Sequence, residues 1–110
     1  MALTSKNRIK LKSDFEIVFK KGQSLRGSFL LIKFLRNSLN YSRFGILISS
    51  KTLPKSVDRN RARRVISQRI ADSGIISSVS YDVLVRMLKR GQEEDLLADL
   101  DRTINILKNG

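Results

Sequence analysis

The sequence has 110 residues and a formal net charge of +12, with 22 Lys or Arg against 10 Asp or Glu, and it contains neither cysteine nor histidine. That length suits a single domain, and a hydrophobic content of 41% is ordinary for a globular protein. The missing residues exclude a disulfide framework, a zinc ribbon, a thiolate nucleophile and a histidine general base, so the composition favours a polyanion-binding protein.

The positive charge is concentrated in the first two thirds of the sequence. Residues 1–70 carry 17 Lys or Arg against three acids, whereas residues 71–110 carry five against seven. The binding surface should therefore be built from the first 70 residues. No apolar run reaches the roughly 20 residues of a membrane helix and no signal-peptide core follows Met1, so we expect a cytoplasmic protein without a membrane partner.

The N-terminal stretch, residues 1–12, alternates basic with other side chains and is predicted to be a flexible basic arm. A helix should follow over about Asp14–Lys21, because Ser13 and Glu16 have the spacing of a capping box and Gly22 follows two cations. The first element of the domain is thus a short helix inside the basic part of the sequence.

Two aromatic residues of this helix, Phe15 and Phe19, fall on one side of it together with Val18. Their spacing is typical of core residues. The alternative is an exposed aromatic surface on which nucleobases stack. Both interpretations stay open on the spacing alone.

Three strands are predicted from apolar runs bounded by turn residues. The first spans Ser28–Leu35, interrupted only by Lys33, and should be central or covered on both faces, while residues 23–27 form a linker or a short edge strand. The second spans Arg43–Ser49 and runs antiparallel to the first. The third, Tyr81–Leu88, follows a helix, so we expect a parallel pairing through a crossover.

A basic helix is predicted from about Ser56 to Asp72, between Pro54 and Gly74. Four arginines fall between Arg59 and Arg64 with no acid among them, and planar guanidinium groups suit bidentate contacts with phosphates. On a helical wheel the buried stripe consists of Ala62, Ile66 and Ile70. It is bordered by Arg59 and Arg63. The opposite, exposed face carries Asn60, Arg61, Arg64 and Gln68.

A last helix begins near Glu93, with three acids in its first turn, where the helix dipole favours negative charge. This placement explains those acids without a catalytic role. The helix has one apolar stripe, formed by Leu96, Leu100, Ile104 and Leu107.

Several blocks of the sequence, taken in order, resemble the bacterial ribonuclease P protein family, whose RNR motif matches Arg59-Asn60-Arg61. Three places depart from the family pattern. Ser67 and Ser50 stand where many members have arginine and lysine, and the first strand has Ile32 or Lys33 where a tyrosine is frequent. The matching blocks are Arg8-Ile9, Asp14-Phe15, Val18–Gly22, Arg43–Ile46, Ile48–Lys51, Lys55, Arg59–Arg64 and Tyr81–Val85.

The resemblance implies a fold. It would be an α/β (α+β) two-layer sandwich with a small mixed sheet and the element order α-β-β-β-α-β-α. The basic RNR helix would lie in a left-handed crossover, against the usual right-handed rule. Residues 1–110 would form one domain.

The resemblance also implies a function, as the protein subunit of the ribonuclease P endonuclease, which removes the 5′ leader of precursor tRNA. The partners would be ribonuclease P RNA and precursor tRNA, with no stable protein partner. Catalysis and Mg²⁺ would belong to the RNA subunit, with no catalytic residue, metal or cofactor on the protein. The implied RNA-binding residues are Lys51, Lys55, Arg59, Asn60, Arg61, Arg63 and Arg64, and those of the leader-binding cleft are Arg8, Lys12, Phe15 and Phe19.

Two other functions stay open on the residues alone. A basic protein of the ribosome or of another RNA assembly would share the charge and the missing catalytic residues. A nuclease could use Asp14, Glu16 or Asp58 with magnesium. A basic membrane-surface protein fits less well, because no predicted helix is basic on one side and broadly apolar on the other.

Overall fold

The structure, a computed structural model, describes residues 5–109. It has a mixed α/β fold with a four-stranded sheet, as predicted, and adds one short helix before the last strand. In chain order the elements are a 3-10 helix (Ser5–Asn7), α1 (Lys12–Lys21), β1 (Gln23–Arg26), β2 (Leu30–Arg36), β3 (Arg43–Leu47), α2 (Ser56–Ser73), α3 (Ile75–Ser78), β4 (Tyr81–Met87) and α4 (Glu93–Asn109).

The strands lie in the order β1-β2-β4-β3. The predicted parallel pairing is confirmed, because β3 and β4 run parallel with Phe44 opposite Val83. The two strands predicted as antiparallel to each other, β2 and β3, are not neighbours, since β4 lies between them and pairs antiparallel with β2. The central position of β4 agrees with the burial of residues 82–85. The handedness of the crossover stays a prediction.

Helices cover both faces of the sheet. Successive side chains of a strand point to opposite faces, and in β4 Val83 and Val85 belong to the main core beneath α2 and α4, whereas Leu84 belongs to a smaller cluster with Ile9 and Val18 of α1. Thus α2 and α4 form the large helical layer of the sandwich, and α1 covers part of the other face.

The predicted apolar stripes are confirmed. Ala62, Ile66 and Ile70 of α2 are buried, and so are the four stripe residues of α4, Leu96, Leu100, Ile104 and Leu107. Gly74 ends α2 in the left-handed conformation at φ 75°, which a residue without Cβ adopts without strain. In the described part of the chain, no helix combines the length and apolar character needed to span a membrane.

The predicted flexible arm is wrong for the part of it that the structure describes, and residues 1–4 lie outside the described range. Asn7 and Ile9 are buried, and the Ile9 amide donates to the carbonyl of Phe44 at 3.0 Å. The physical reason is that β3 is an edge strand whose outer backbone groups need partners. The predicted capping box is also wrong, because α1 begins at Lys12 and places Ser13 inside the helix.

Candidate nucleic-acid interface

The exposed side of α2 carries the predicted polar face. Asn60, Arg61, Arg64 and Gln68 are all exposed, and we call these four residues the arginine face. Neither Arg61 nor Arg64 forms an ion pair within residues 5–109. Their guanidinium groups are therefore available to an external anion.

A groove of about 620 Å³ runs between the arginine face and α4. Arg61 and Arg64 form one wall, and Glu93 and Leu97 belong to the other. The groove is wide and open, so it suits a polymer backbone better than a small molecule. One acid beside the groove, Asp72, already has a partner, because it accepts a hydrogen bond from the Gln68 side chain at 2.8 Å.

The two arginines predicted to border the buried stripe are half-buried, as expected. Arg59 has a structural contact, because its Nη1 donates to the carbonyls of Leu53 and Pro54 at 2.8 and 2.9 Å. Arg63 donates to the Asn60 side chain at 3.3 Å. Arg59 thus holds the loop before α2 and has less freedom to reach an external anion than Arg61 or Arg64.

Lys51 and Lys55 lie just before α2 and are exposed. Within the described residues neither makes an ion pair or a side-chain hydrogen bond. The positive field of the arginine face therefore continues past the first turn of the helix, where the helix dipole adds to the attraction for anions.

A second surface lies on the other side of the sheet. Lys12, Phe15, Glu16 and Phe19 of α1, together with Leu47 of β3, line an open groove of about 470 Å³, which we call the aromatic groove. Phe19 is 38% exposed. Phe15 packs against the small core cluster and also lines the groove, so it fits both interpretations that its spacing left open.

Gly45 makes the position of Phe15 possible. A Cβ at residue 45 would lie 2.7 Å from Cε1 of Phe15 and 3.0 Å from Cδ2 of Leu84. Real Cβ contacts are not that short, so a larger residue would displace the ring. The bare backbone of β3 thus lets the aromatic ring lie against the strand and form the floor of the groove.

Three of the four predicted leader-cleft residues, Lys12, Phe15 and Phe19, meet in the aromatic groove. Arg8 does not line it. Arg8 lies instead at the edge of β3, in a smaller pocket that also contains Phe15 and Arg63.

Sequence reasoning missed the role of Arg43, which it counted as part of the basic field. Arg43 donates to both carboxylate oxygens of Asp82, at 2.6 and 2.9 Å, and lies 3.4 Å from Asp14 of α1. The hydrogen bond with Asp82 raises the pKa of Arg43, against the lowering effect of burial. This network joins α1, β3 and β4, and it removes Arg43 from the charges available to a ligand.

The acids proposed for a nuclease are dispersed. Asp14 contacts Arg43, Asp58 lies 3.4 Å from Arg90, and Glu16 lines the aromatic groove. Among the residues that the structure describes, no three of the metal-binding types cluster closely enough to hold an ion. This arrangement gives no support to the nuclease alternative.

The sequence and the fold are both similar to those of known proteins. The family model for ribonuclease P matches residues 3–108. The ribonuclease P protein component of Thermotoga petrophila is 31% identical over 111 residues, covering 97% of this chain and 94% of that protein. The solved structure of the RNase P protein from Thermotoga maritima matches with a TM-score of 0.74 at 28% identity, over 94% of this chain and 96% of that one.

The RNase P protein of Staphylococcus aureus gives a TM-score of 0.82 at 24% identity, over 93% of this chain and 95% of that one. At that identity the likeness speaks to the fold. The four-stranded sheet and its helices are therefore an arrangement shared with solved structures from two bacteria.

Proposed function

Because the chain belongs to the bacterial ribonuclease P protein family, we propose that its arginine face binds the ribonuclease P RNA while its aromatic groove holds the 5′ leader of precursor tRNA. Together these contacts promote endonucleolytic removal of the leader, which leaves the mature 5′ end. The observation that carries the proposal is a pair of surfaces on opposite faces of the sheet, one charged and formed on α2, the other aromatic and formed beside α1.

The arginine face suits a folded RNA. Arg61 and Arg64 are exposed and have no acidic partner among residues 5–109, so each can contact a phosphate and release the counterions bound there. The side-chain amides of Asn60 and Gln68 lie on the same exposed face and can hydrogen-bond to sugars or base edges. Lys51 and Lys55 extend the contact beyond α2.

The aromatic groove suits a single strand. Phe19 offers an exposed ring on which an unpaired base can stack, and Lys12 can contact the phosphate beside it. A base inside a duplex is already stacked and cannot use the ring. This difference favours a single-stranded leader as the ligand of the groove.

Catalysis belongs, in this proposal, to the RNA subunit and to Mg²⁺ bound there. The contribution of the protein is electrostatic and positional. Its charge reduces the repulsion between the two RNAs, and its groove fixes the leader so that the scissile phosphate reaches the metal site. We place the protein in the cytoplasm, with no stable protein partner.

The test is cleavage of precursor tRNA at low magnesium by ribonuclease P RNA alone, by the protein alone and by both. We expect cleavage with both components and little with either one. Cleavage by the protein alone would contradict catalysis by the RNA. Failure of the protein to stimulate its RNA would contradict the whole assignment.

A further inference from the structure

A second opening between α2 and α4 lies beside the arginine face. It is a pocket of about 150 Å³, located where the N-terminal parts of the two helices meet the end of β4, and we call it the interhelix pocket. Its floor is apolar and consists of Leu53, Ala62, Met87 and Leu96, each of which keeps 4–8% of its surface exposed. A ligand that enters the pocket therefore lies on carbon atoms.

The size of the interhelix pocket limits what can enter it. Drug-sized ligands occupy pockets of about 300–1,000 Å³. An apolar cavity of roughly 150 Å³, by contrast, holds one six-membered aromatic ring such as benzene. One planar ring therefore matches the pocket, and any larger part of the ligand stays outside.

The mouth of the interhelix pocket carries two acids and two arginines, of which only one pair is matched. Asp58 and Arg90 lie 3.4 Å apart. Arg61 and Glu93 are exposed and form no ion pair among residues 5–109. One carboxylate and one guanidinium group at the mouth are thus available to an external ligand.

The interhelix pocket continues the groove beside the arginine face. Arg61, Val65 and Glu93 line both of them, so an RNA whose backbone follows the groove passes the mouth of the pocket. The aromatic groove lies on the other face of the sheet, beside α1. The RNA within reach of the pocket is therefore the ribonuclease P RNA and not the precursor leader.

The position of Glu93 distinguishes it from its neighbour Glu94. Both are exposed in the first turn of α4, where the helix dipole favours acids. Only Glu93 lines the interhelix pocket and the groove. An acid on an RNA-binding surface repels phosphates, so it opposes binding unless it accepts a hydrogen bond from the RNA.

The carboxylate at the mouth selects one base. An ionised carboxylate only accepts hydrogen bonds. Guanine presents two adjacent donors, N1–H and the N2 amino group, on its Watson–Crick edge, and both can bond to one carboxylate. Adenine and cytosine have a ring-nitrogen acceptor beside their amino group, and uracil has its N3–H between two carbonyls. Glu93 therefore favours guanine, and Arg61 suits the attached phosphate.

We propose that the interhelix pocket binds one unpaired guanine of the ribonuclease P RNA, with its flat face on the apolar floor, its Watson–Crick edge at Glu93 and its phosphate at Arg61. The proposal rests on binding of that RNA by the arginine face. It adds a base-specific contact from α4 to the contacts made by α2.

The first experiment compares Glu93→Gln with Glu94→Gln in filter binding to ribonuclease P RNA. Both variants remove the same charge from the same helical turn, and loss of an acid should by itself leave RNA affinity unchanged or raise it. We expect this of Glu94→Gln. Glu93→Gln should instead weaken binding by about tenfold, the effect of losing a hydrogen bond to a charged group. Equal affinities for the two variants would overturn the proposal.

The second experiment locates the guanine. Ribonuclease P RNA in which inosine replaces scattered guanosines is selected for binding, because inosine lacks the N2 amino group. Inosine at one unpaired position should weaken binding about fivefold for the wild type and for Glu94→Gln, and should have no effect for Glu93→Gln. An interference pattern that is the same for all three proteins would contradict the pocket.

Two further arms test the source of the guanine. Inosine in the precursor leader should weaken binding equally for the wild type and for Glu93→Gln, because the leader lies on the other face of the sheet. A leader position that depends on Glu93 would refute the assignment to ribonuclease P RNA. Micromolar binding of free GMP to the protein without RNA would refute it too, since it would mean that the pocket serves a free nucleotide.

The variants of the arginine face separate this proposal from the one on which it rests. If Arg61→Ala combined with Arg64→Ala weakens binding of ribonuclease P RNA while Glu93→Gln does not, the arginine face stands and the interhelix pocket fails. If neither change weakens binding, both proposals fail.

Discussion

The arginine face of α2 and the junction of β3 with β4 are both built around arginine, and they use it in opposite ways. Arg61 and Arg64 are exposed and unpaired within residues 5–109, whereas Arg43 is 22% exposed and held by Asp82 and Asp14. The first arrangement leaves charge for a ligand, and the second uses it to fasten α1 to the sheet. The neighbouring acids decide between these roles, and they come from distant parts of the sequence.

The largest expected effect comes from breaking the buried network. Arg43→Met should lower the free energy of unfolding by about 2–3 kcal/mol, somewhat less than for a fully buried ion pair because Arg43 keeps partial exposure. Asp82 would then stay buried with only the Asn37 amide as a side-chain partner, at 2.9 Å. Urea denaturation measures this. Arg61→Met is the control and should change stability by less than about 0.5 kcal/mol; equal losses for the two variants would erase the contrast between the regions.

The next effect comes from the arginine face. Arg61→Ala combined with Arg64→Ala should weaken binding to ribonuclease P RNA by about tenfold or more and lower the slope of log affinity against log salt by about two contacts. Stability should hardly change, because neither side chain packs in the core. Filter binding over a salt series checks this, with Arg26→Ala, which removes one exposed arginine at the far edge of the sheet, as the control. An unchanged slope would remove the arginine face from the interface.

The aromatic groove should show a smaller and selective effect. Phe19→Ala should weaken binding of precursor tRNA by about tenfold, the value of one base stacked on an aromatic ring, and leave mature tRNA unaffected. The matched control is Ile17→Ala, since Ile17 is exposed on the same helix but does not line the groove. Equal losses for precursor and mature tRNA would return Phe19 to a structural role.

The smallest effect sharpens the comparison. Arg69 also lies on α2 but faces Asp101 at 3.6 Å, with both side chains more than 40% exposed. Such a pair contributes little, so Arg69→Ala should cost less than about 0.5 kcal/mol in stability. It should also change the salt slope less than Arg64→Ala, because Asp101 already neutralises part of its charge. A larger change in slope would mean that the ion pair opens on RNA binding.

The helices could be predicted well from the sequence because their signals are local. The apolar stripes of α2 and α4 follow the helical period, and every residue assigned to them is buried. The order of the strands could not be predicted in this way. The insertion of β4 between β2 and β3 depends on pairings between residues far apart in the sequence, and the apolar runs are compatible with several orders.

The candidate site likewise contains features that local sequence signals predict and features that depend on tertiary contacts. Exposure of Arg61 and Arg64 follows from the helical wheel, and the resemblance to the family selected Phe15 and Phe19 for the groove. The contacts of Arg43 and Arg59 depend on tertiary packing. From the sequence alone, these two residues could not be distinguished from the other basic side chains. The docking of residues 5–9 on the edge of β3 was not predicted for the same reason. A stretch of alternating basic residues carries no signal that identifies the element on which it packs.

The most direct test is a crossed measurement on the reconstituted ribonucleoprotein. It compares the affinity of the protein for ribonuclease P RNA with the ratio of precursor to mature tRNA affinity. The variant with both Arg61→Ala and Arg64→Ala should have lower affinity for ribonuclease P RNA. Once saturated with that RNA, it should keep the wild-type ratio of precursor to mature tRNA affinity. Phe19→Ala should lower the ratio of precursor to mature tRNA affinity and leave the affinity for ribonuclease P RNA unchanged. If each variant lowers both quantities in proportion, the two surfaces are not separate RNA sites and the account is wrong.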